Sequence, residues 1–244
     1  MPSFIRNTSG GKAVSGGSLV PRSRRGNTAQ VDGYWRGGAG GPPPLVTYLL
    51  VAGGGTGGQG SNPGGFHGVG GGGGGGSYAP SFQVASATSY TITVGGAASP
   101  SSGFGATVTG GTTGNGGAGG AGTTTNSATA YTGGNGGPAF YFYSGSPPQP
   151  GYTPPAISGT STTYGAGGPN GDTGAAGAPN TGNGGTGGYG VSSQPGGAGG
   201  SGLVIIRYST SFDVAASTSG TVSYSSAQPT YHTYTFTGSG TIEW

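Results

Sequence analysis

Apolar and β-branched residues fall in short runs, separated by polar or glycine-rich stretches. The clearest run, LVTYLLVA at residues 45–52, is too short for an ordinary helix and ends in glycines, so it predicts a buried strand. Further strands are predicted at Tyr90–Val94, Phe104–Val108, Phe140–Tyr143, Leu203–Tyr208, Gly220–Tyr224 and Tyr231–Phe236. The last two alternate around a Pro-containing loop, which predicts a hairpin, and Thr237–Gly240 predicts a turn after it. No stretch predicts a helix of ordinary length, because glycine costs about 1 kcal/mol per helical position relative to alanine.

Residues 53–202 form a low-complexity glycine region. Glycine loses the most backbone freedom on folding. A region with this many glycines therefore opposes order, unless close approach of neighbouring backbones requires them. A period of three is present within separate blocks, which are Gly165, Gly168, Gly171, Gly174 and Gly177, then Gly182, Gly185 and Gly188, then Gly196, Gly199 and Gly202. This period is typical of polyproline II helices, so we expect short segments of that type folded back on one another over a β core. The alternative is a disordered glycine linker.

The pattern as a whole predicts an all-β protein. We expect a compact, sandwich-like β-sheet core with glycine-rich polyproline II segments, long loops and an extended N-terminal arm. Residues 1–44 are predicted to be a basic anchoring arm that ends in Gly-Gly-Pro-Pro-Pro. Residues 45–208 are the glycine-rich β and polyproline II domain, and residues 209–244 supply the C-terminal hairpin strands that complete the core.

Composition restricts the classes of function. The chain has 244 residues, of which 65 are glycine, and only 5% are charged. The low content of bulky apolar residues leaves too little material for the core of an α-helical or α/β enzyme. We therefore expect a mechanical or adhesive protein with no enzymatic activity, catalytic residue, cofactor or metal.

Charge is concentrated at the N-terminus. Its cations are Arg6, Lys12, Arg22, Arg24, Arg25 and Arg36. They are spread along the arm rather than clustered, so they make a weak nucleic-acid patch and nucleic acid is an unlikely partner. Docking of residues 1–44 on an acidic neighbour in an assembly is the favoured interpretation, and a solvated tail is the alternative.

Targeting and redox signals are missing from the sequence. There is no cysteine, so no disulfide or thiolate metal site can form. The N-terminus has no apolar stretch of the kind that signal peptides carry. The longest apolar runs are far shorter than a membrane span.

Gly53, Gly55 and Gly58 satisfy the G-x-G-x-x-G pattern of dinucleotide sites directly after a strand. That mechanism needs a following helix and an acidic residue about 20 positions on, and neither is present. His67 and His232 lack metal-ligand spacing. We therefore expect His232 to be structural.

The most distinctive stretch outside the glycines is PAFYFYSGSPPQPGYTPP, Pro138–Pro155. Aromatic rings backed by stiff prolines suit contact with sugars or protein surfaces. The predicted contact residues are Phe140, Tyr141, Phe142, Tyr143 and Tyr152. The alternative is that these rings are covered, on one side by the core and on the other by a neighbouring subunit.

Several pieces together resemble a known family. LLVAGGGTGG, the run Gly70–Gly76, YTITVGG and GGSGLVIIRY look like the glycine-rich domain of tailed-bacteriophage fibre and receptor-binding proteins, and the end from Phe212 to YHTYTFTGSGTIEW is similar to strands that follow it. The resemblance implies a virion structural protein near a tail fibre tip, in which loops between packed polyproline II helices bind the host surface. The short chain and the basic arm depart from the family pattern.

The resemblance leads us to expect a non-catalytic virion component, foremost a tail fibre or fibre-tip subunit that contacts a host glycan or protein. A capsid or collar decoration protein or a tail adaptor is the first alternative, and a non-viral glycine-rich surface or ice-binding protein is the second. Residues 1–44 would contact other virion proteins. A homo-oligomer, with a trimer favoured, would hide the edge strands.

Overall fold

The computed structural model describes residues 40–60, 70–114, 117–137, 148–170, 173–188 and 193–244. Within these ranges the fold is all-β, as predicted, and its one helical element is a 3-10 turn at Thr125–Ser127. The strands are β1 Leu45–Val51, β2 Gly76–Gln83, β3 Ser89–Ile92, β4 Ser101–Gly103, β5 Ala106–Val108, β6 Thr129–Tyr131, β7 Leu203–Ser209, β8 Ser217–Ser225 and β9 Tyr231–Glu243.

Seven of these strands form one antiparallel sheet that curls into a half-barrel. Its order is β3-β9-β7-β1-β2-β6, and β8 pairs with β9. The 13-residue strand β9 pairs with β7 along its first half and with β3 along its second half, while β8 follows its other edge. The curl brings Trp244 back to Tyr208, with ring centroids 5.7 Å apart. β4 and β5 form a separate two-stranded sheet.

Side chains pack on both faces of the curled sheet. Tyr48 and Leu50 of β1 belong to the main cluster, inside the curl, whereas Leu49 and Val51 belong to a second cluster on the other face. β7 alternates in the same way. Both central strands are therefore buried on two sides, which explains why their sequences are continuous apolar runs. The sandwich-like core expected from the sequence takes the form of one curled sheet covered on both faces.

Most strand predictions are confirmed, including the C-terminal hairpin of β8 and β9. Phe104–Val108 was predicted as one strand, but Phe104 and Gly105 have positive φ and form the tight turn between β4 and β5. The turn predicted at Thr237–Gly240 is also wrong, because β9 runs straight through it. Gly238 and Gly240 there lie against the backbone or side chains of β8. β2, β4 and β6 were missed, and Phe140–Tyr143 lies outside the described residues.

The chain enters the sheet at the end where β1 begins. Pro43 is fully buried, and the carbonyl of Pro44 accepts a hydrogen bond from the amide of Val84 (3.1 Å). Gly41 donates its amide to the Asp213 carboxylate at 2.5 Å and accepts from the Asp213 amide at 3.0 Å. This reciprocal pair fixes residues 40–44 to the loop between β7 and β8.

Candidate functional site

Three strands continue, at the opposite end of the sheet, into glycine-rich segments. β1 is followed by residues 52–60, β2 is preceded by 70–75, and β7 is preceded by 193–202. Val51 pairs with both Gly76 and Leu203, so the three segments leave the sheet side by side. We call the resulting structure the glycine bundle, which comprises the described residues 52–60, 70–75, 109–114, 117–122, 133–137, 165–170, 173–188 and 193–202.

Residues 70–75 form the central segment of the bundle. Their amides donate in rotation to three neighbouring segments, so that every third residue bonds to the same one. The acceptors are Gly137 and Gly134, then Gly185 and Gly182, then Thr112 and Thr109, at 2.7–3.2 Å. Three residues per turn without internal hydrogen bonds is the geometry of a polyproline II helix. The period of three predicted from the glycine spacing is thus present in the hydrogen bonds.

Five of the six carbonyls of the central segment accept hydrogen bonds from three other segments. The donors are Ala52 and Gly55, Gly117 and Gly120, and Gly168. Six segments of the same chain therefore surround residues 70–75. A Cβ built on any of these six glycines would lie less than 3.0 Å from a backbone atom. This enclosure explains why the central run is glycine without interruption, since no side chain fits on any side.

Outer segments need glycine only where they face inward. Gly196 and Gly199 meet the carbonyls of Gly57 and Gly54, and Gly202 meets that of Val51, again every third residue. Between such glycines, short residues point outward, and Thr112, Ala118, Ala175 and Ala198 are exposed. Glycine content thus follows depth in the bundle. Gly53 and Gly55 of the dinucleotide-like pattern also contact neighbouring backbone, and the carbonyl of Gly58 accepts from Gly188.

At the rim of the bundle, oxygens of short polar side chains accept hydrogen bonds from backbone amides, in place of the carbonyls of a neighbouring segment. Asn135 Oδ1 accepts from the Gly119 amide (2.9 Å), Asn183 Oδ1 accepts from Ala166 (3.0 Å), and Thr109 Oγ1 accepts from Ala121 (2.7 Å). Sequence reasoning did not single out these residues. The signal was their position beside period-three glycines, where an outward side chain can still reach a neighbouring amide. The described bundle carries no charged side chain.

The bundle has a far end, away from the sheet, at which its segments reverse direction. Residues 52–60 lead away from β1, and 70–75 lead back to β2. At this end Gly60 donates to the Gln194 carbonyl (3.0 Å), Gln59 Nε2 donates to Ser193 (2.9 Å) and Gly114 donates to Thr56 (3.0 Å). Residues 61–69, 115–116, 138–147, 171–172 and 189–192 lie outside the described residues.

Tyr152, one of the predicted contact residues, lies inside the molecule. Its ring is 8% exposed and stacks on Tyr131 at 5.0 Å between centroids, against Gly76. Burial raises the pKa of its hydroxyl far above the usual range, and neighbouring Tyr164 and Tyr131 add to the effect. Tyr152 therefore packs instead of facing solvent, which corrects its assignment as an exposed contact. The contact prediction for Phe140, Tyr141, Phe142 and Tyr143 falls outside the described residues and stays a prediction.

His232 is held in the core by two hydrogen bonds. Its Nε2 donates to the Phe212 carbonyl at 3.0 Å, which leaves Nδ1 to accept from the Tyr224 hydroxyl at 2.7 Å. The described residues contain no group of three His, Cys, Asp or Glu that could hold a metal ion, and none of their helices is long and apolar enough to cross a membrane. His67 and the predicted arm cations Arg6, Lys12, Arg22, Arg24, Arg25 and Arg36 lie outside the described residues.

Comparison with known proteins gives one match. A family model described as a glycine-rich domain matches residues 42–209, which include β1, β7 and every described segment of the bundle. No curated protein and no solved structure matches the chain.

Proposed function

The chain belongs to the glycine-rich domain family, and from that premise we propose that it is a bacteriophage virion structural protein without enzymatic activity. Its foremost role would be that of a tail fibre or fibre-tip subunit that contacts the host surface. The resemblance to phage fibre proteins supports the assignment to a virion, and the arrangement of the two ends of the sheet supports the attachment role.

The observation that carries the proposal is that residues 40–44, the described end of the predicted arm, and the glycine bundle leave the sheet at opposite ends. Residues 40–44 join at the start of β1 and are fixed there through Asp213, whereas the bundle follows Val51. A seven-residue strand separates the two points by about 20 Å. A protein mounted through residues 1–44 would present the far end of its bundle outward.

The bundle suits a rigid support. Its backbone amides are bonded to neighbouring segments in three directions around the central residues 70–75, and its side chains are small and uncharged. Such a surface offers neither general acid–base groups nor a charged substrate site. The predicted contact stretch starts directly after Gly137, whose amide bonds to Gly168 at 2.9 Å near the far end.

Location on the particle tests the virion proposal. An antibody raised against the full chain would be bound to intact particles of the phage that encodes it and imaged by electron microscopy. Label at a fibre or tail tip is the expected result. Label spread over the capsid or collar would contradict host contact in favour of a decoration protein, and unlabelled particles would contradict the virion assignment.

Competition tests the contact role separately. Purified full chain is expected to slow phage adsorption when it is added to host cells first. A variant in which Phe140, Tyr141, Phe142 and Tyr143 are replaced by serine should lose this effect, while Thr160→Ser, an exposed change in another loop, should keep it. Equal inhibition by both variants would remove the aromatic stretch from the contact, and no inhibition by the wild type would contradict the contact role.

A further inference from the structure

The edge strand β8 is the longest unpaired edge among the described strands. Eight of the nine residues from Ser217 to Ser225 pair with β9 on one side, Thr221 lies in a bulge, and no described strand pairs with the other side. Eight of the nine residues are exposed. At the other end of the sheet, β6 has only three residues. An exposed edge of this length is a template for pairing with another strand.

The devices that usually protect an edge are nearly all missing from β8. Its sequence STSGTVSYS contains no charged residue and no proline. The one irregularity is the bulge between Gly220 and Val222, where Gly220 has a φ of 83°. Natural edge strands more often carry lysine, proline or inward-facing charge to prevent association. The composition of β8 therefore permits pairing.

An apolar patch lies beside this edge. Val214 is 54% exposed and Tyr224 is 48% exposed. Together with Leu45, they are the most exposed large apolar side chains among the described residues. The Tyr224 ring lies 5.1 Å from the Tyr234 ring, and Val214 directly precedes Ala215, whose amide donates to the Tyr234 hydroxyl at 2.9 Å. Apolar side chains exposed beside a free strand edge mark an interaction surface.

We propose that β8 pairs antiparallel with β8 of a second copy of this chain, around a two-fold axis. Serine and threonine hydroxyls both donate and accept, so identical strands can face each other, as Ser219 and Thr241 already do within the chain at 2.8 Å. The absence of charge on β8 removes like-charge repulsion between the copies. A closed two-fold contact covers both edges and brings Tyr224 and Val214 of each copy to the interface.

This pairing does not depend on the proposed function, and it differs from the trimer expected by resemblance. The glycine bundle takes no part in it, because the six segments around residues 70–75 all come from one chain. The second copy therefore completes the sheet edge and not the bundle.

A cysteine scan tests the pairing, since the native chain contains no cysteine. Single variants Ser219→Cys, Thr221→Cys, Ser223→Cys and Ser225→Cys are oxidised in the full chain, with exposed Thr160→Cys as control. In a two-fold antiparallel pair only residues near the axis face their own copies, so one position should cross-link at least about tenfold faster than the control. Cross-linking of all four at the control rate would overturn the proposal.

Sedimentation of the unmodified chain provides the second measurement. A mass of two chains is expected at high concentration, and Ser223→Lys should weaken the association about tenfold or more while Thr160→Lys leaves it unchanged. Thermal unfolding of both variants shows whether each remains folded. A single-chain mass at all concentrations, a three-chain mass, or equal effects of the two lysines would each contradict the two-fold pairing.

Discussion

In the half-barrel sheet, order comes from side chains, whereas in the glycine bundle it comes from the backbone. Tyr48, Leu50 and Phe236 are completely buried in the sheet and supply the apolar area that favours folding. Residues 70–75 have no side chains to bury, and their amides and carbonyls bond to six neighbouring segments. The two regions join directly at Val51, so one chain uses both modes in sequence.

The difference teaches that the two regions respond to mutation in opposite ways. Removing atoms damages the sheet because it leaves a cavity. Adding atoms damages the bundle because the neighbouring backbones already occupy the space. The following changes test this contrast, beginning with the largest expected effect.

Gly73→Ala should prevent the bundle from forming. Its new Cβ would meet the carbonyl group of Gly165, which is backbone and cannot rotate away. We expect destabilisation of at least about 3 kcal/mol, measured by urea unfolding. Gly96→Ala is the matched control, because nothing lies within 4 Å of its Cβ position, and it should change stability by less than about 1 kcal/mol. Equal effects of the two substitutions would refute the enclosure of residues 70–75.

Phe236→Ala should destabilise the sheet by about 3–5 kcal/mol, since the ring is fully buried in the main cluster. Tyr224→Ala, on the partner strand of the same hairpin, loses a half-exposed ring and its hydrogen bond to His232, and should cost about 1–2 kcal/mol. Chemical denaturation of both variants measures the difference. A small effect at Phe236 would mean that the half-barrel does not depend on its apolar core.

Ser101→Ala tests the junction between the two regions. Ser101 Oγ is buried, donates to the Val51 carbonyl at 2.7 Å and accepts from the Gly95 amide at 2.9 Å. Loss of the hydroxyl leaves both backbone groups without this partner, at an expected cost of about 1–3 kcal/mol. Ser102→Ala, at the adjacent half-buried position, serves as the control. If the two variants unfold at the same urea concentration, the junction does not rely on this hydroxyl.

Stability should fall in alkali, because burial raises the pKa of both Tyr152 and Tyr208 above the ordinary value of 10.0. Their contribution is complete below that value, and it is lost as pH rises further because only the unfolded chain ionises readily. At neutral pH, Tyr152→Phe should have the same free energy of unfolding as the wild type. At one pH unit above 10, its free energy of unfolding should have fallen by roughly 1 kcal/mol less than that of the wild type. Parallel pH dependences of the two proteins would show that Tyr152 does not contribute.

Much of the sheet could be predicted from sequence because its central strands bury both faces. β1 and β7 appear as predominantly apolar runs, and the hairpin of β8 and β9 appears as alternation around a proline loop. β2 could not be recognised, since five of the eight residues of GSYAPSFQ are glycine, polar or proline and the strand derives its pairing from β1. The predicted strand at Tyr231–Phe236 ended too early, because the glycines that follow it in β9 allow close packing against β8 rather than a turn.

For the candidate site, the period of three in the glycines predicted packed polyproline II segments but not how those segments are arranged. The spacing shows that one side of each segment faces a backbone. Which segment is central becomes clear only from the unbroken run at residues 70–75 together with its six partners. The sequence likewise singled out the aromatic residues but did not show that Tyr152 is covered by Tyr131 and the second core cluster. Local sequence cannot reveal which ring a distant strand covers.

The most direct test of the account is amide hydrogen exchange at residues 70–75, followed by NMR in the full chain. Each of these amides bonds to a neighbouring segment at 2.7–3.2 Å, so they should exchange as slowly as the amides of β1 and β7. Exchange at the rate of an unstructured glycine peptide, while β1 and β7 stay protected, would contradict the claim that backbone hydrogen bonds hold the centre of the bundle together.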